Sequence, residues 1–82
     1  MKRNVLVAGL GLIGGSLAKA MKKDERNYII GFDLNENTLT YALDHHIIDE
    51  ATSDILTAVH EVDIIIIATP ISATIQLLQQ LN

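Results

Sequence analysis

Three glycines near the start of the chain have the spacing of a phosphate-binding turn. Gly9, Gly11 and Gly14 form the pattern G-x-G-x-x-G directly after an apolar segment that reads as a strand. The first glycine permits a tight turn, the second lets a pyrophosphate approach the backbone, and the third lets the next helix pack on its strand. The free N–H groups of that helix, at Leu12 and Ile13, would then face the phosphates. This spacing predicts dinucleotide binding.

An acidic residue follows at the distance that this pattern requires. Asp33 lies 19 residues after Gly14, at the end of a second apolar strand, where a carboxylate can accept hydrogen bonds from an adenosine ribose. Neither Leu34 nor Asn35 supplies a cation for a 2′-phosphate, so we expect NAD to be preferred over NADP. Gly31 departs from the pattern, because a larger apolar residue is commoner there. A glycine-rich turn without a ligand is the alternative.

The elements that must position these residues alternate between strands and helices. Strands are predicted at residues 5–8, 28–33 and 64–67, with a short candidate at 47–49. Helices are predicted at 13–23, from the cap Asn35 to His45 and His46, from a cap at Ser53 or Asp54 to Val59, and from Thr69 and Pro70 onward. Four consecutive isoleucines in the last strand lack polar alternation, which predicts burial on both faces of a parallel sheet.

This order of elements predicts the α/β class. The expected architecture is a Rossmann-type parallel sheet with flanking helices and strand order 3-2-1-4, the N-terminal half of a doubly wound NAD(P)-binding domain. The isoleucine strand would lie at an open edge, a position that proteins usually protect. We therefore expect residues 1–82 to form one dinucleotide-binding domain that is part of a longer chain.

Composition narrows the classes of partner. The 82 residues are 49% hydrophobic, carry a net charge of −4 and include no cysteine. The charge argues against nucleic acid or an anionic membrane surface as the main partner, and the lack of cysteine excludes a disulfide framework. No apolar run reaches the ~20 residues of a membrane span, and no targeting segment is convincing, so a cytoplasmic protein is expected.

Other polar residues fit structural positions better than chemical ones. His45, His46 and His60 lack the spacing of a metal site and are expected on the surface, so no metal is predicted. Ser16 has no accompanying base, which argues against a nucleophile. An acidic group fits a loop with a helix cap better than an acidic site; it consists of Asp49, Glu50 and Asp54.

Three segments together resemble the nucleotide-binding domain of the prephenate dehydrogenases and their relatives, the arogenate dehydrogenases. They are G-L-G-L-I-G-G-S-L at 9–17, I-G-F-D at 30–33 and I-A-T-P-I at 67–71, and the resemblance covers nearly the whole chain. It implies NAD as the cofactor and prephenate as a small-molecule substrate, which is oxidatively decarboxylated to 4-hydroxyphenylpyruvate in tyrosine biosynthesis. It also implies a homodimer.

The resemblance assigns residues to the cofactor and none to catalysis. The glycine turn would bind the pyrophosphate, and Asp33 and its neighbour Leu34 are also assigned to the cofactor. Ala68, Thr69 and Pro70 would line the nicotinamide side. The family's catalytic histidine and substrate-binding arginine lie beyond the matched region, so no catalytic residue is assigned here. A nucleotide-sensing regulatory module, another NAD(P)-dependent dehydrogenase and an FAD-binding domain stay open as alternatives.

Overall fold

A four-stranded parallel sheet forms the centre of the computed structural model, which describes residues 2–68. The strands are β1 (Arg3–Ala8), β2 (Asn27–Phe32), β3 (Glu50–Ala51) and β4 (Ile64–Ile67), and the helices are α1 (Leu12–Met21), α2 (Glu36–Asp44) and α3 (Ile55–Val59). The strand order is β3-β2-β1-β4, and every pairing is parallel. The predicted fold class and strand order are confirmed. The helix predicted from Thr69 onward lies outside the described residues.

The core has two layers because side chains of β1 alternate between the faces of the sheet. Val5 and Val7 pack under α1 and α2, against Ala18 and Ala42, while Leu6 packs on the opposite face under α3. All four β1 residues from Val5 to Ala8 are fully buried. A central strand buried on both faces is the reason why this segment is apolar throughout.

The isoleucine strand β4 differs from the prediction of full burial. Ile64, Ile65 and Ile67 are 37%, 41% and 36% exposed, and Ile66 is partly buried against the core. Among the described strands β4 pairs only with β1, and α3 packs over Ile30 and neighbouring residues rather than over β4. The prediction of burial is therefore wrong for this strand, while its predicted position at an open edge is confirmed.

The third strand lies two to three residues later than its predicted position at 47–49. The N–H groups of Ile47 and Ile48 both donate to the carbonyl of Ala42, at 2.9 and 3.4 Å, which ties them to the end of α2. The Ile48 side chain is buried in the core instead of alternating in a strand. The pairing with β2 consequently begins at Glu50, opposite Ile30.

An aspartate immediately precedes each edge strand and is hydrogen-bonded to the neighbouring strand. Asp49 donates its N–H to the Ile29 carbonyl at 2.8 Å, and its carboxylate accepts the Ile29 N–H at 2.7 Å. Asp63 makes the same pair of bonds with Asn4, at 2.8 and 2.9 Å. Partial burial acts to raise the pKa of Asp49, but the bonds from Ile29 and Lys22 outweigh it and lower that pKa. These carboxylates accept backbone N–H groups of the neighbouring strands immediately before β3 and β4 begin.

Helix ends follow the predicted caps closely. The side chain of Asn35 accepts from the N–H groups of Asn37 and Thr38, and Asp54 rather than Ser53 accepts from Thr57 at the start of α3. Helix α1 ends two residues earlier than predicted. Beyond α2, the chain passes through the left-handed region, with a φ of 56° at His46. Capping residues were therefore readable from sequence, whereas exact helix lengths were not.

Candidate functional site

The glycine turn lies at the carboxyl end of the central strand, where β1 leads into α1. Gly9 has a φ of 94°, in the left-handed region that favours glycine, and its N–H donates to the Phe32 carbonyl at 2.7 Å. Gly11 is the N-cap of α1, and no side chain caps this helix. Helices α2 and α3, in contrast, have capping side chains. The first N–H groups of α1, including those at Leu12 and Ile13, have no partner within the helix.

Gly11 and Gly14 meet different surroundings, although both belong to the same turn. A Cβ atom added at Gly11 would have no heavy atom of the described residues within 4 Å, so the space above this residue is open. A Cβ atom added at Gly14 would overlap the carbonyl oxygen of Gly9 and lie 2.8 Å from its carbonyl carbon. Gly14 is therefore required by the packing of the chain on itself. None of the described residues requires Gly11 to lack a side chain, which leaves room for an external group.

The unusual glycine of β2 makes room for the turn. A Cβ atom at Gly31 would lie 2.7 Å from Leu10 Cδ1 and 2.8 Å from Ile48 Cδ1. Leu10 is the turn residue between Gly9 and Gly11, and its side chain is buried. The departure from the usual pattern at Gly31 thus has a packing reason, because the Leu10 and Ile48 side chains fill the space that a larger residue would occupy.

Asp33 lies between the glycine turn and α2 and is hydrogen-bonded to both. Its Oδ2 accepts the Leu10 N–H at 2.8 Å, and its Oδ1 accepts the Asn35 N–H at 2.9 Å. The second bond spans two residues and could have been read from sequence as an Asx turn. The first spans 23 residues. No local pattern indicates it.

A cleft opens beside Asp33 and extends along the first turn of α2. Residues 33–37 line this open depression of about 550 Å³. Leu34 is 86% exposed within it and offers an apolar surface. Asp33 and Glu36 are its charged residues, so the lining is acidic. Glu36 was not among the predicted site residues, although its place in the first turn after the cap Asn35 was the available signal.

Ala68 reaches the glycine turn from the last described strand. Its N–H donates to the Ala8 carbonyl at 2.8 Å, which extends the pairing of β4 with β1 by one residue. Its Cβ lies 3.3 Å from the position that a Cβ at Gly14 would take. The structure therefore brings Ala68 beside the turn, while its contact with the cofactor stays a prediction. Thr69 and Pro70 lie outside the described residues.

The remaining candidates occupy structural positions. The three histidines, at 45, 46 and 60, are exposed, and His45 stacks on Tyr41 with ring centroids 3.9 Å apart. Residues 2–68 contain no group of three side chains that could hold a metal ion. Within the same residues, no helix is long and apolar enough to cross a membrane. The three carboxylates of the predicted acidic group are hydrogen-bonded: Asp49 to Ile29 and Lys22, Glu50, the first residue of β3, to Tyr28, and Asp54 to Thr57.

Together, the parallel sheet, the uncapped glycine turn and the aspartate after β2 define the nucleotide-binding half of a doubly wound α/β domain. Comparison with known families agrees, since the family described as "Prephenate dehydrogenase, nucleotide-binding domain" matches residues 17–82. The chain belongs to this family.

Two curated relatives are similar over nearly the whole chain. The prephenate dehydrogenase of Bacillus subtilis (strain 168) is 42% identical over 82 residues, which is 99% of this chain. That of Lactococcus lactis subsp. cremoris (strain MG1363) is 40% identical over 80 residues, or 96% of the chain. The chain spans 22% of the length of each relative.

Two solved structures share the fold. Prephenate dehydrogenase from A. aeolicus, in complex with hydroxyphenyl propionate and NAD+, superposes with a TM-score of 0.78 at 31% identity, over 90% of this chain and 27% of that one. Synechocystis arogenate dehydrogenase superposes with a TM-score of 0.84 at 35% identity, over 95% of this chain and 27% of that one. Each superposition thus covers at least nine-tenths of this chain.

Proposed function

We propose that this chain is the NAD-binding part of a prephenate dehydrogenase. The whole protein would oxidatively decarboxylate prephenate to 4-hydroxyphenylpyruvate in tyrosine biosynthesis, and NAD would accept the hydride. Two curated relatives named prephenate dehydrogenase, at 40–42% identity, support this assignment. The structural neighbour with bound NAD+ supports the cofactor. Arogenate dehydrogenase activity is the alternative, which the Synechocystis neighbour favours.

One observation supports the proposal most strongly. The space above Gly11 is open, and Gly11 begins a helix whose N-terminus has no side-chain cap. Backbone N–H groups at Leu12 and Ile13 carry the partial positive charge of the α1 N-terminus, which suits a pyrophosphate. The open space at Gly11 would let that group reach the backbone. Gly9 adopts the positive φ of the turn, and the lack of a side chain at Gly14 lets α1 pack closely against it.

The other assigned residues would bind the two ends of the cofactor. Asp33 would accept hydrogen bonds from the adenosine ribose, and the exposed Leu34 would contact the adenine. Ala68, Thr69 and Pro70 would line the nicotinamide side, at the carboxyl end of β4. Of these three residues, Ala68 lies beside the turn in the described structure. No catalytic residue is assigned to this chain.

The acidic cleft supports a preference for NAD over NADP. A 2′-phosphate beside the ribose would meet the carboxylates of Asp33 and Glu36, and none of the described residues that line this cleft is a lysine or arginine. In the first turn of α2, the N–H groups of Asn37 and Thr38 already donate to the Asn35 side chain, which leaves these two less available to a phosphate. The acidic charge of the cleft and the capping of α2 therefore both disfavour the 2′-phosphate of NADP.

Titration of the full-length protein tests the cofactor. We expect calorimetry to show tighter binding of NAD than of NADP, and we expect Asp33→Ala to narrow the difference. Tighter binding of NADP would overturn the cofactor assignment. Turnover is then followed by NADH absorbance with prephenate and, separately, with arogenate. Prephenate turnover supports the proposal, arogenate turnover favours the alternative, and NAD binding without either reaction favours a nucleotide-sensing module.

Two broader features of the whole protein are part of the proposal. We infer a cytoplasmic homodimer that takes a small-molecule substrate and binds neither nucleic acid nor membranes. The family resemblance supports the dimer, and the net charge of −4 is unfavourable for binding nucleic acid or an anionic membrane. Sedimentation of the full-length protein tests the dimer, and a monomer at all concentrations would contradict it.

A further inference from the structure

We propose that Asp33 is also the positioning residue of the phosphate-binding turn, in addition to its expected contact with the ribose. This inference rests on the proposed NAD binding. The carboxylate Oδ2 accepts the N–H of Leu10 at 2.8 Å, and Leu10 lies between the first two glycines of the turn. The Oδ1 accepts the Asn35 N–H at 2.9 Å, which fixes the carboxylate against the start of α2.

The turn is held to β2 by two consecutive bonds of different kinds. The Gly9 N–H donates to the main-chain carbonyl of Phe32, whereas the next N–H, that of Leu10, donates to the side chain of Asp33. Leu10 is only 5% exposed, so water has poor access to its N–H when the carboxylate is removed. An unpaired buried donor is costly, and the backbone at Leu10 is expected to move to find a new partner. That movement would displace Gly11, the residue that the pyrophosphate must approach.

Both roles can be performed at the same time. Each carboxylate oxygen has two lone pairs, and each accepts one backbone N–H in this structure. One acceptor position per oxygen therefore stays available for a ribose hydroxyl. The ribose and phosphate subsites share a single anchor, so a change at Asp33 is expected to weaken both.

An NAD analogue without hydroxyls on its adenosine ribose separates the two roles. The analogue carries 2′,3′-dideoxyadenosine in place of adenosine and keeps the pyrophosphate. If Asp33 only bound the ribose, Asp33→Ala would weaken NAD and leave the analogue unaffected. We expect Asp33→Ala in the full-length protein to weaken the analogue by about tenfold and NAD by more. Analogue affinity within about twofold of the unmodified protein would overturn the proposal.

Asp24→Ala is the matched control. Asp24 also accepts a backbone N–H, that of Arg26 at 3.0 Å, but it precedes β2 whereas Asp33 follows it. We expect Asp24→Ala to leave the affinity for both ligands unchanged. An equal loss of analogue affinity in both variants would overturn the positioning role, because it would show a general effect of removing such an aspartate.

A second substitution at Asp33 and hydrogen exchange at the Leu10 amide also test the positioning role. If Asp33→Ala does not fold, Asp33→Asn takes its place, since asparagine replaces one of the two accepting oxygens with an NH2 group that cannot accept an N–H. Analogue affinity is again expected to fall, and an unchanged value again overturns the proposal. We also expect the Leu10 amide of the ligand-free variant to exchange hydrogen faster than that of the unmodified protein, because its bond to Asp33 is lost. A full-length protein that does not bind NAD would refute the proposed function itself, which is a separate outcome.

Discussion

At the scale of single residues, two glycines of one turn are expected to respond differently to the same substitution. Gly11→Ala adds a methyl group in open space at an ordinary φ of −64°, so unfolding free energy should change by less than about 1 kcal/mol. NAD affinity should fall by about tenfold or more, because the methyl group lies where the pyrophosphate approaches. Denaturant unfolding and calorimetric titration of the full-length protein measure the two effects.

Gly14→Ala is the comparison for that prediction. Its methyl group would overlap the Gly9 carbonyl, so we expect destabilisation of about 2 kcal/mol or more. Normal NAD affinity in a folded Gly11→Ala variant would show that the ligand does not sit on this turn. A Gly14→Ala variant as stable as the parent would contradict the close approach of α1 to Gly9.

At the scale of elements, the start of α2 depends on one side chain. Asn35 accepts from the N–H groups of Asn37 and Thr38, at 2.9 and 3.4 Å. Asn35→Ala is expected to lower unfolding free energy by about 1 kcal/mol, the usual cost of removing a helix cap. Asn37→Ala is the control, because its exposed side chain lies within the helix and caps nothing. Equal effects of both substitutions on the denaturation midpoint would contradict the capping role.

The turn between α1 and β2 gives the protein a sensitivity to acid. Hydrogen bonds from the Arg26 side chain and backbone hold the pKa of Asp24 well below its usual range, and Arg3 adds to the effect. Because the folded-state pKa is depressed, the stabilisation is complete above the unfolded pKa of about 4 and is lost as the pH falls toward the folded value.

Asp24→Asn tests this pH dependence. Asparagine keeps an oxygen for the Arg26 N–H but has no charge to titrate. We expect the variant to be less stable than the parent at pH 7 and the difference to shrink below about pH 4. Thermal unfolding across a pH series provides the measurement. A difference that stays constant down to the lowest pH would show that the ion pairs with Arg3 and Arg26 contribute nothing.

At the scale of the whole molecule, the open edge of the sheet is expected to cause self-association of the 82-residue chain. Ile64, Ile65 and Ile67 are each more than a third exposed on a strand of high β-propensity without charge. Light scattering across a dilution series should show mass rising with concentration, and Ile65→Lys should reduce it. Leu56→Lys, at an equally exposed residue of α3, should have less effect. A monomer at all concentrations would contradict the prediction.

The same 82-residue chain is expected to show no dehydrogenase activity. Its histidines follow the C-terminal ends of α2 and α3, away from the glycine turn, and no acid–base group pairs with a substrate-binding cation at the turn within residues 2–68. An NADH-absorbance assay at high protein concentration, with NAD and prephenate supplied, checks this. Clear turnover would reveal a catalytic group within these residues.

The sequence alone determined the class of fold, the strand order and the position of the glycine turn. Each depends on neighbours along the chain: glycine spacing sets the turn, apolar runs mark the strands, and Asn35 and Asp54 mark helix starts. The distance from Gly14 to Asp33 likewise indicated a ribose contact, which stays a prediction. Local chemistry sufficed for the turn and the helix caps because their backbone groups lie within a few residues of the side chains that signal them. The strand order followed from the alternation of strands and helices, which favours parallel strands with right-handed crossovers.

Tertiary structure decided which of these residues act on one another. Two contacts join segments that are distant in sequence: the bond from Leu10 to Asp33 and the packing of Leu10 over Gly31. The exposure of β4 likewise depends on which distant segments pack over it. The later start of β3, at Glu50, likewise follows from hydrogen bonds. The N–H groups of Ile47 and Ile48 donate to the Ala42 carbonyl at the end of α2. Such contacts depend on strand register and on which helix covers which strand. Those are set by packing of the assembled sheet rather than by the preferences of any one segment.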